Sequence, residues 1–329
     1  MEWTEQFIKD ISKRHILVIG DLMLDRYLWG RVDRISPEAP VPILQLQSSH
    51  NRMGGAANVA FNLAQLGCRS SLIGVVGEDT NGDHLLQLIR DGGIGGNSIS
   101  RISDVPTTTK TRVIAGNQHI LRVDDEEILH PSKEQEDTFV QQVADCLRET
   151  RPDAIILQDY NKGVLTPDII AALLDEARAL SIPVAVDPKF DNFFAYKGVA
   201  VFKPNMKELA AQYSFPIEPT TESLDRASRE LRQILDHEVS CITLSEHGLY
   251  IDDGNISGVH PTTSLEVVDV CGAGDAVISV LTLGYLSNLT PEQLAIAANV
   301  AGGAVCEHVG VTPITIEVLK KGLRVERIL

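Results

Sequence analysis

Short β-branched runs alternate with amphipathic stretches along most of the chain. Ile16-Leu17-Val18-Ile19 and Leu72-Ile73-Gly74-Val75-Val76 are predicted strands. Residues 56–66 place apolar side chains at 56, 57, 60, 63 and 64, a helical stripe that Gly67 ends. A helix is predicted over 133–148, with Ser132 and Gln135 spaced as a capping box. Thr166-Pro167 and Thr290-Pro291 each open a helix, with Thr as the cap and Pro in the first turn. Ala154 to Leu157, Pro183 to Val186, Val199 to Phe202 and Cys241 to Leu244 are further strands, with helices between them. The βαβα order predicts an α/β fold with a mostly parallel sheet covered on both faces.

Two segments break this rhythm. Residues 27–48 contain three prolines near a short alternation at 43–46. Residues 107–125 alternate on either side of Gly116-Asn117, a hairpin signal because Gly and Asn tolerate positive φ. Four short strands without helices imply a small separate sheet, either a lid or a dimer surface. No internal repeat or low-complexity segment interrupts the chain.

The 329 residues are 43% hydrophobic and 22% charged, enough apolar material for a core and little case for disorder. Lys and Arg number 29 against 45 Asp and Glu, a net charge of −16 that argues against general nucleic-acid binding. No apolar run approaches the roughly 18 residues of a membrane span. The start, MEWTEQFIKDISKR, has no apolar signal core, so export is not expected. Cys68, Cys146, Cys241, Cys271 and Cys306 are few and widely spaced, which fits a reduced, cytoplasmic protein without a zinc cage.

Most predicted strands run directly into residues of functional type. These are Gly20-Asp21, Gln158-Asp159, Asp187-Pro188-Lys189, Lys203-Pro204-Asn205 and Ser245-Glu246. Ligands of open α/β sheets bind beyond the carboxyl ends of the strands, so one polar rim is expected. Helix capping accounts for any single member of the set, but less well for all of them. The sharpest segment is Asp269-Val270-Cys271-Gly272-Ala273-Gly274-Asp275, between an apolar strand (Leu265, Val267, Val268) and a helical run that starts at Ala276. Glycines at a helix start let amides face an anion closely. Asp275 in the first turn could take a proton from a hydroxyl while those amides receive a transferring phosphoryl group. A glycine-rich turn with an acid placed for the helix dipole is the plainer alternative, and from this segment alone both stand. No Gly-Lys dipeptide exists for a Walker loop, Val277 replaces a dinucleotide-fingerprint glycine, and Cys241 stands where a zinc protease after His237-Glu238 needs His. Cys271 has no nearby His to make it a nucleophile and is expected to be a small packing residue.

Gly54-Gly55-Ala56-Ala57-Asn58 early and Gly272-Ala273-Gly274-Asp275 late resemble the ribokinase-like (PfkB) family of carbohydrate kinases over nearly the whole chain. Residues 20–27, 34–42, 54–60 and 159–163 are similar to the family's heptose 7-phosphate kinases, whose product enters ADP-heptose and lipopolysaccharide core synthesis. The resemblance implies a three-layer ribokinase-like sandwich, one kinase domain over 1–329, and a β lid at about 27–48 and 107–125 that pairs two subunits into a homodimer. It implies ATP and Mg2+, with K+ as a further candidate, and a sugar phosphate as acceptor. Asp275 would be the base, and Gly272, Ala273 and Gly274 the anion hole. Asn205 and Glu208 would hold Mg2+ through water. Ser245, Glu246, Gly248, Asn299 and Lys189 would serve the nucleotide, and Asp269 a monovalent cation. Asp21, Asp25, Gly54, Gly55, Asn58 and Asp159 would contact sugar. A sugar phosphate needs cations, for which Lys110, Arg112, Lys162 and Lys189 are candidates. Alternation puts Lys110 and Arg112 on one strand face as a clamp; solvated edge charges are the alternative. Val270 and Cys271 depart from the family's usual Thr at both positions, which bears on the cation site more than on Asp275. Another kinase of the fold, and a non-catalytic ligand-binding protein of the same fold, are the alternative readings.

Overall fold

The structure, a computed structural model, describes residues 2–116, 118–262 and 267–325. Its first half runs α1 (Glu2–Ile11), β1 (His15–Gly20), β2 (Leu22–Ile35), β3 (Pro42–Gly55), α2 (Ala56–Gln65), β4 (Arg69–Gly77), α3 (Thr80–Asp91), β5 (Gly95–Ile102), β6 (Thr109–Ala115) and β7 (Gln118–Asp125). Next come α4 (Lys133–Thr150), β8 (Ala154–Gln158), α5 (Pro167–Ala179), β9 (Val184–Asp187), β10 (Val201–Phe202), α6 (Met206–Ala210) and α7 (Thr221–Leu235). The rest is β11 (Val239–Thr243), β12 (Leu249–Asp252), β13 (Ser257–His260), α8 (Ala273–Leu286), α9 (Pro291–Cys306) and α10 (Ile316–Val325).

Among the described residues, nine strands form one sheet in the order β13-β12-β11-β10-β9-β8-β1-β4-β5. Its pairs from β11 to β5 are parallel, and β12 and β13 are antiparallel at one edge. Strand β1 is buried throughout, as a central parallel strand must be. Ile16 and Val18 enter the core shared with α2, α8 and α9, while Leu17 and Ile19 enter the core shared with α4, α5 and α7. The architecture is thus the predicted sheet between two helical layers. The caps at Ser132, Thr166 and Thr290 form as read, with full capping boxes at Ser132 and Thr290.

A second sheet orders as β3-β2-β6-β7. Here the structure corrects the expectation of four short strands. β2 and β3 each span 14 residues and begin or end well outside 27–48. Their outer halves are mostly exposed or half-buried, so no hydrophobic alternation marked them. The hairpin partners β6 and β7 pair antiparallel as expected; Asn117 at their turn lies outside the described residues. Two other expectations change. The strand read over 199–202 shrinks to Val201–Phe202. The strand read before Asp269 is not one at Val267 and Val268, which are exposed, with the Val268 amide bonded to the Cys306 carbonyl; Leu265 lies outside the described residues.

Strands β1 and β2 are separated by Asp21 alone, and β3 passes directly into α2 at Gly55. The two crossings are tied together by the Ala56 amide, which donates to the Asp21 carbonyl at 2.9 Å. Gly55 takes φ +58°, and a Cβ there would lie 2.3 Å from that carbonyl. A Cβ on Gly54 would lie 2.4 Å from the Asp25 carboxylate. Gly55 is therefore required by close backbone approach, and Gly54 leaves the space that the Asp25 side chain fills.

Candidate active site

The glycine-rich turn caps α8, with Gly272 at φ +84° and Asp275 buried in the first helical turn. Three donors from two distant segments converge on the Asp275 carboxylate. Asn58 Nδ2 of α2 donates to one oxygen at 2.6 Å. Gln158 Nε2, at the end of β8, and the Tyr160 hydroxyl donate to the other at 3.3 and 3.1 Å. The early and late glycine motifs thus meet at one point.

Gln158 Nε2 also reaches Asp187 at the end of β9, at 3.1 Å. Its amide therefore straddles two carboxylates, which fixes its NH2 side toward them and leaves its buried Oε1 without a partner among the described residues. Lys203, past the end of β10 and only 2% exposed, pairs with Asp187 at 3.0 Å. A Cβ on Gly274 would stand 3.5 Å from the Lys203 ammonium and 3.7 Å from Asp187. The bare flank of the turn therefore faces the buried Lys203–Asp187 pair, whose ammonium lies nearer than its carboxylate, beside amides of a helix start that suit an anion. Burial, with Asp187 nearby, pushes the Asp275 carboxyl up to about 7 against the pull of Asn58, Tyr160 and Lys203. Cys271 is pushed up to about 12 chiefly by burial, which agrees with a packing role and not a reactive thiolate.

Asp21 and Asp159 are equally buried but fully engaged. Asp21 accepts from the amides of Tyr160, Lys162 and Val164 at 2.7, 3.1 and 3.2 Å, and so anchors the loop that carries Tyr160. Burial first, then Asp159, pushes its carboxyl up to about 6. Asp159 accepts from Tyr196, Asn192 and the Asn161 amide. Both shape the site from behind it.

Ser245, Glu246, Gly248 and Asn299 line one cleft of about 420 Å3 together with Ala273 and Gly274. The Asn299 amide holds the His260 and Pro261 carbonyls at 3.0 and 3.1 Å. Asn205 and Glu208 form a capping box on α6, and Glu208 also pairs with Lys189. Among the described residues no cluster of three or more His, Cys, Asp or Glu could cage a metal. One engaged carboxylate and one amide fit Mg2+ held largely through water and phosphate. Asp269 binds the amides of Cys271 and Gly310 at 3.0 and 2.9 Å.

The expected clamp is divided. Arg112 is buried in an ion pair with Asp25, so its fork is engaged inside the fold, and a clamp shared with Lys110 is not what the structure presents. Lys110 turns instead to Glu126 at 2.8 Å and Asp124 at 3.4 Å, and Lys162 meets the same Glu126 at 2.8 Å. Gln158, Tyr160, Asp187 and Lys203 surround Asp275 or its turn, yet were not among the site residues expected from sequence. The strand-end pattern and the 159–163 stretch contained all four.

Residues 13–317 match the family described as pfkB family carbohydrate kinase. The chain is 44% identical over 313 residues to the bifunctional protein HldE of Magnetococcus marinus, covering 94% of this chain and 64% of that protein. It is 40% identical over 311 residues to the bifunctional protein HldE of Citrifermentans bemidjiense, with 94% and 63% covered. The chain thus spans less than two thirds of the length of these relatives. Phosphofructokinase-2 from Escherichia coli in complex with potassium superposes with TM-score 0.78 at 19% identity, covering 95% of this chain and 99% of that one. Arabidopsis thaliana ribokinase complexed with ribose and ATP gives 0.72 at 17%, covering 94% and 99%. These structures share the fold.

Proposed function

We propose, because this chain belongs to the pfkB family of carbohydrate kinases, that it transfers the γ-phosphoryl group of ATP to the anomeric hydroxyl of D-glycero-β-D-manno-heptose 7-phosphate. As a family member it is an ATP-dependent phosphotransferase acting on a carbohydrate. The observation that carries the reading is Asp275, a buried carboxylate at the start of α8 with Asn58 from the early motif bonded to it. The heptose assignment rests on the similarity of residues 20–27, 34–42, 54–60 and 159–163 to heptose 7-phosphate kinases. Since the bifunctional relatives are longer, the kinase activity belongs to the stretch this chain shares with them, taken as one domain over 1–329.

On this reading Asp275 takes the proton of the attacking hydroxyl. The amides of the Gly272–Asp275 turn and the Lys203 ammonium receive the charge of the phosphoryl group in flight. The nucleotide occupies the cleft between Ser245–Gly248 and Asn299. Mg2+, bound through water near Asn205 and Glu208, supplies charge neutralisation. Asp269, whose carboxylate is fixed by the Cys271 and Gly310 amides, would be the carboxylate that meets K+ if that ion is used. The exposed apolar side chains Leu46, Leu121 and Val123 on the four-stranded sheet suit pairing with a second copy as a homodimer.

Asp275 must be ionised to act, so turnover should fall as pH drops through about 7. A kcat profile flat from pH 5.5 to 8.5 would remove it from the base role. A coupled ADP-release assay over heptose 7-phosphate, fructose 6-phosphate, free sugars and nucleosides tests the substrate. Turnover is expected to be highest with heptose 7-phosphate; a free sugar or nucleoside as best acceptor refutes the assignment.

A further inference from the structure

Four cations were candidates for the acceptor's phosphate, and the structure sorts them by the exposure of their partners. Arg112 and Lys189 are held by carboxylates almost completely withdrawn from solvent, Asp25 and Glu208. Lys110 and Lys162, from different elements, converge on one carboxylate that stays accessible. Glu126 puts one oxygen 2.8 Å from each ammonium, with 27% of its side chain exposed. Asp124, the other neighbour of Lys110 at 3.4 Å, has its own closer partner in Arg122 at 2.9 Å. The two lysines also stand beside the site. The Lys162 amide is bound by Asp21, Lys162 lines a small hollow with Asp21 and Leu22, and Lys110 pairs in register with Asp25.

We propose that Glu126 is an internal stand-in for the acceptor's phosphate. It occupies the anion seat between Lys110 and Lys162 in the empty enzyme and is displaced when a phosphate group arrives. A carboxylate and a phosphate present similar oxygen pairs to ammonium donors. The phosphate carries about two charges against one, so it wins the exchange, whereas an unphosphorylated sugar leaves Glu126 in place. Releasing half-buried Glu126 costs less than freeing Asp25 or Glu208 would, because it is already partly solvated. Glu126 is thereby a specificity-determining residue: it keeps adventitious anions out and makes the phosphate arm of the substrate open the seat. The inference rests on the sugar-phosphate reading above.

Titration calorimetry with inorganic phosphate on the full chain tests the seat without turnover. Glu126→Gln should tighten phosphate binding about fivefold, the scale of a partly exposed ion pair. Adding Lys162→Met should erase the gain. In kinetics Glu126→Gln should lower KM for the sugar phosphate and leave KM for ATP unchanged; Glu126→Ala should behave alike. Unchanged or weaker phosphate binding in both variants overturns the proposal and makes Glu126 a brace for the lysines. If phosphate binding tightens but no sugar phosphate is turned over, the seat stands and the substrate assignment falls. If heptose 7-phosphate is turned over with phosphate binding unmoved, the reverse holds.

Discussion

Asp275→Asn should lower kcat by about a thousandfold or more while ATP affinity changes little. The substitution removes the only group in the first turn of α8 that can hold the acceptor's proton, yet keeps its size. The Gly272–Gly274 amides and the Ser245–Asn299 cleft are untouched, so ground-state nucleotide binding persists. The loss should not come from unfolding. Asp275 titrates near 7 in the fold against 3.8 as a free side chain, so the folded protein holds the extra proton between those values. Stability from this group therefore falls as pH rises through that window. At pH 8 the wild-type protein carries a desolvated charge that the neutral amide lacks. Against that gain, the introduced amide would turn its NH2 toward a donor that one carboxylate oxygen had accepted from. Thermal denaturation at pH 8 should therefore show Asp275→Asn cooperatively folded, with a Tm within a few degrees of wild type. Turnover within tenfold of wild type would exclude the base role, and a collapsed Tm would attribute the loss to folding instead.

Lys203→Met should weaken both the fold and the chemistry. Lys203 and Asp187 form a buried pair, with side chains 3% and 10% exposed. Removing one partner strands the other, at a cost of about 3–5 kcal/mol. The stranded Asp187 still shares Gln158 with Asp275, so its charge, no longer balanced, pushes Asp275 further up. The acid limb of kcat should move above 7, and turnover at neutral pH should drop about a hundredfold from the loss of charge at the transferring group. Adding Asp187→Asn separates the effects. The double variant should recover most of the stability but not the turnover. Recovery of both would reduce Lys203 to a structural counter-ion.

How far the sequence carried the description depended on the physical range of each signal. Ser132, Thr166 and Thr290 cap their helices as read because a cap is settled within four residues. The placement of polar groups at strand ends held because parallel strands deliver their carboxyl ends to one edge. The pairing of Arg112 with Asp25 was not legible, because it depends on the cross-strand register Tyr27↔Arg112 between segments 85 residues apart. Alternation at 110 and 112 gave a shared face but not what that face met. Gln158 and Tyr160 were within reach as residues but not as partners of Asp275, since their bonds span 117 and 115 positions. The outer halves of β2 and β3 left no hydrophobic trace because they are largely open to solvent.

The junction at Asp21 has a mechanical consequence. One residue joins β1 of the large sheet to β2 of the small one, and its carbonyl is bonded to the chain leaving the small sheet for α2. The smaller sheet consequently behaves less like a flap on a tether than like a lever on a fixed fulcrum. The Asp21 side chain also grips the amides of the 160–164 loop, so tilting that lever draws on the same strut that holds the Tyr160 hydroxyl against Asp275.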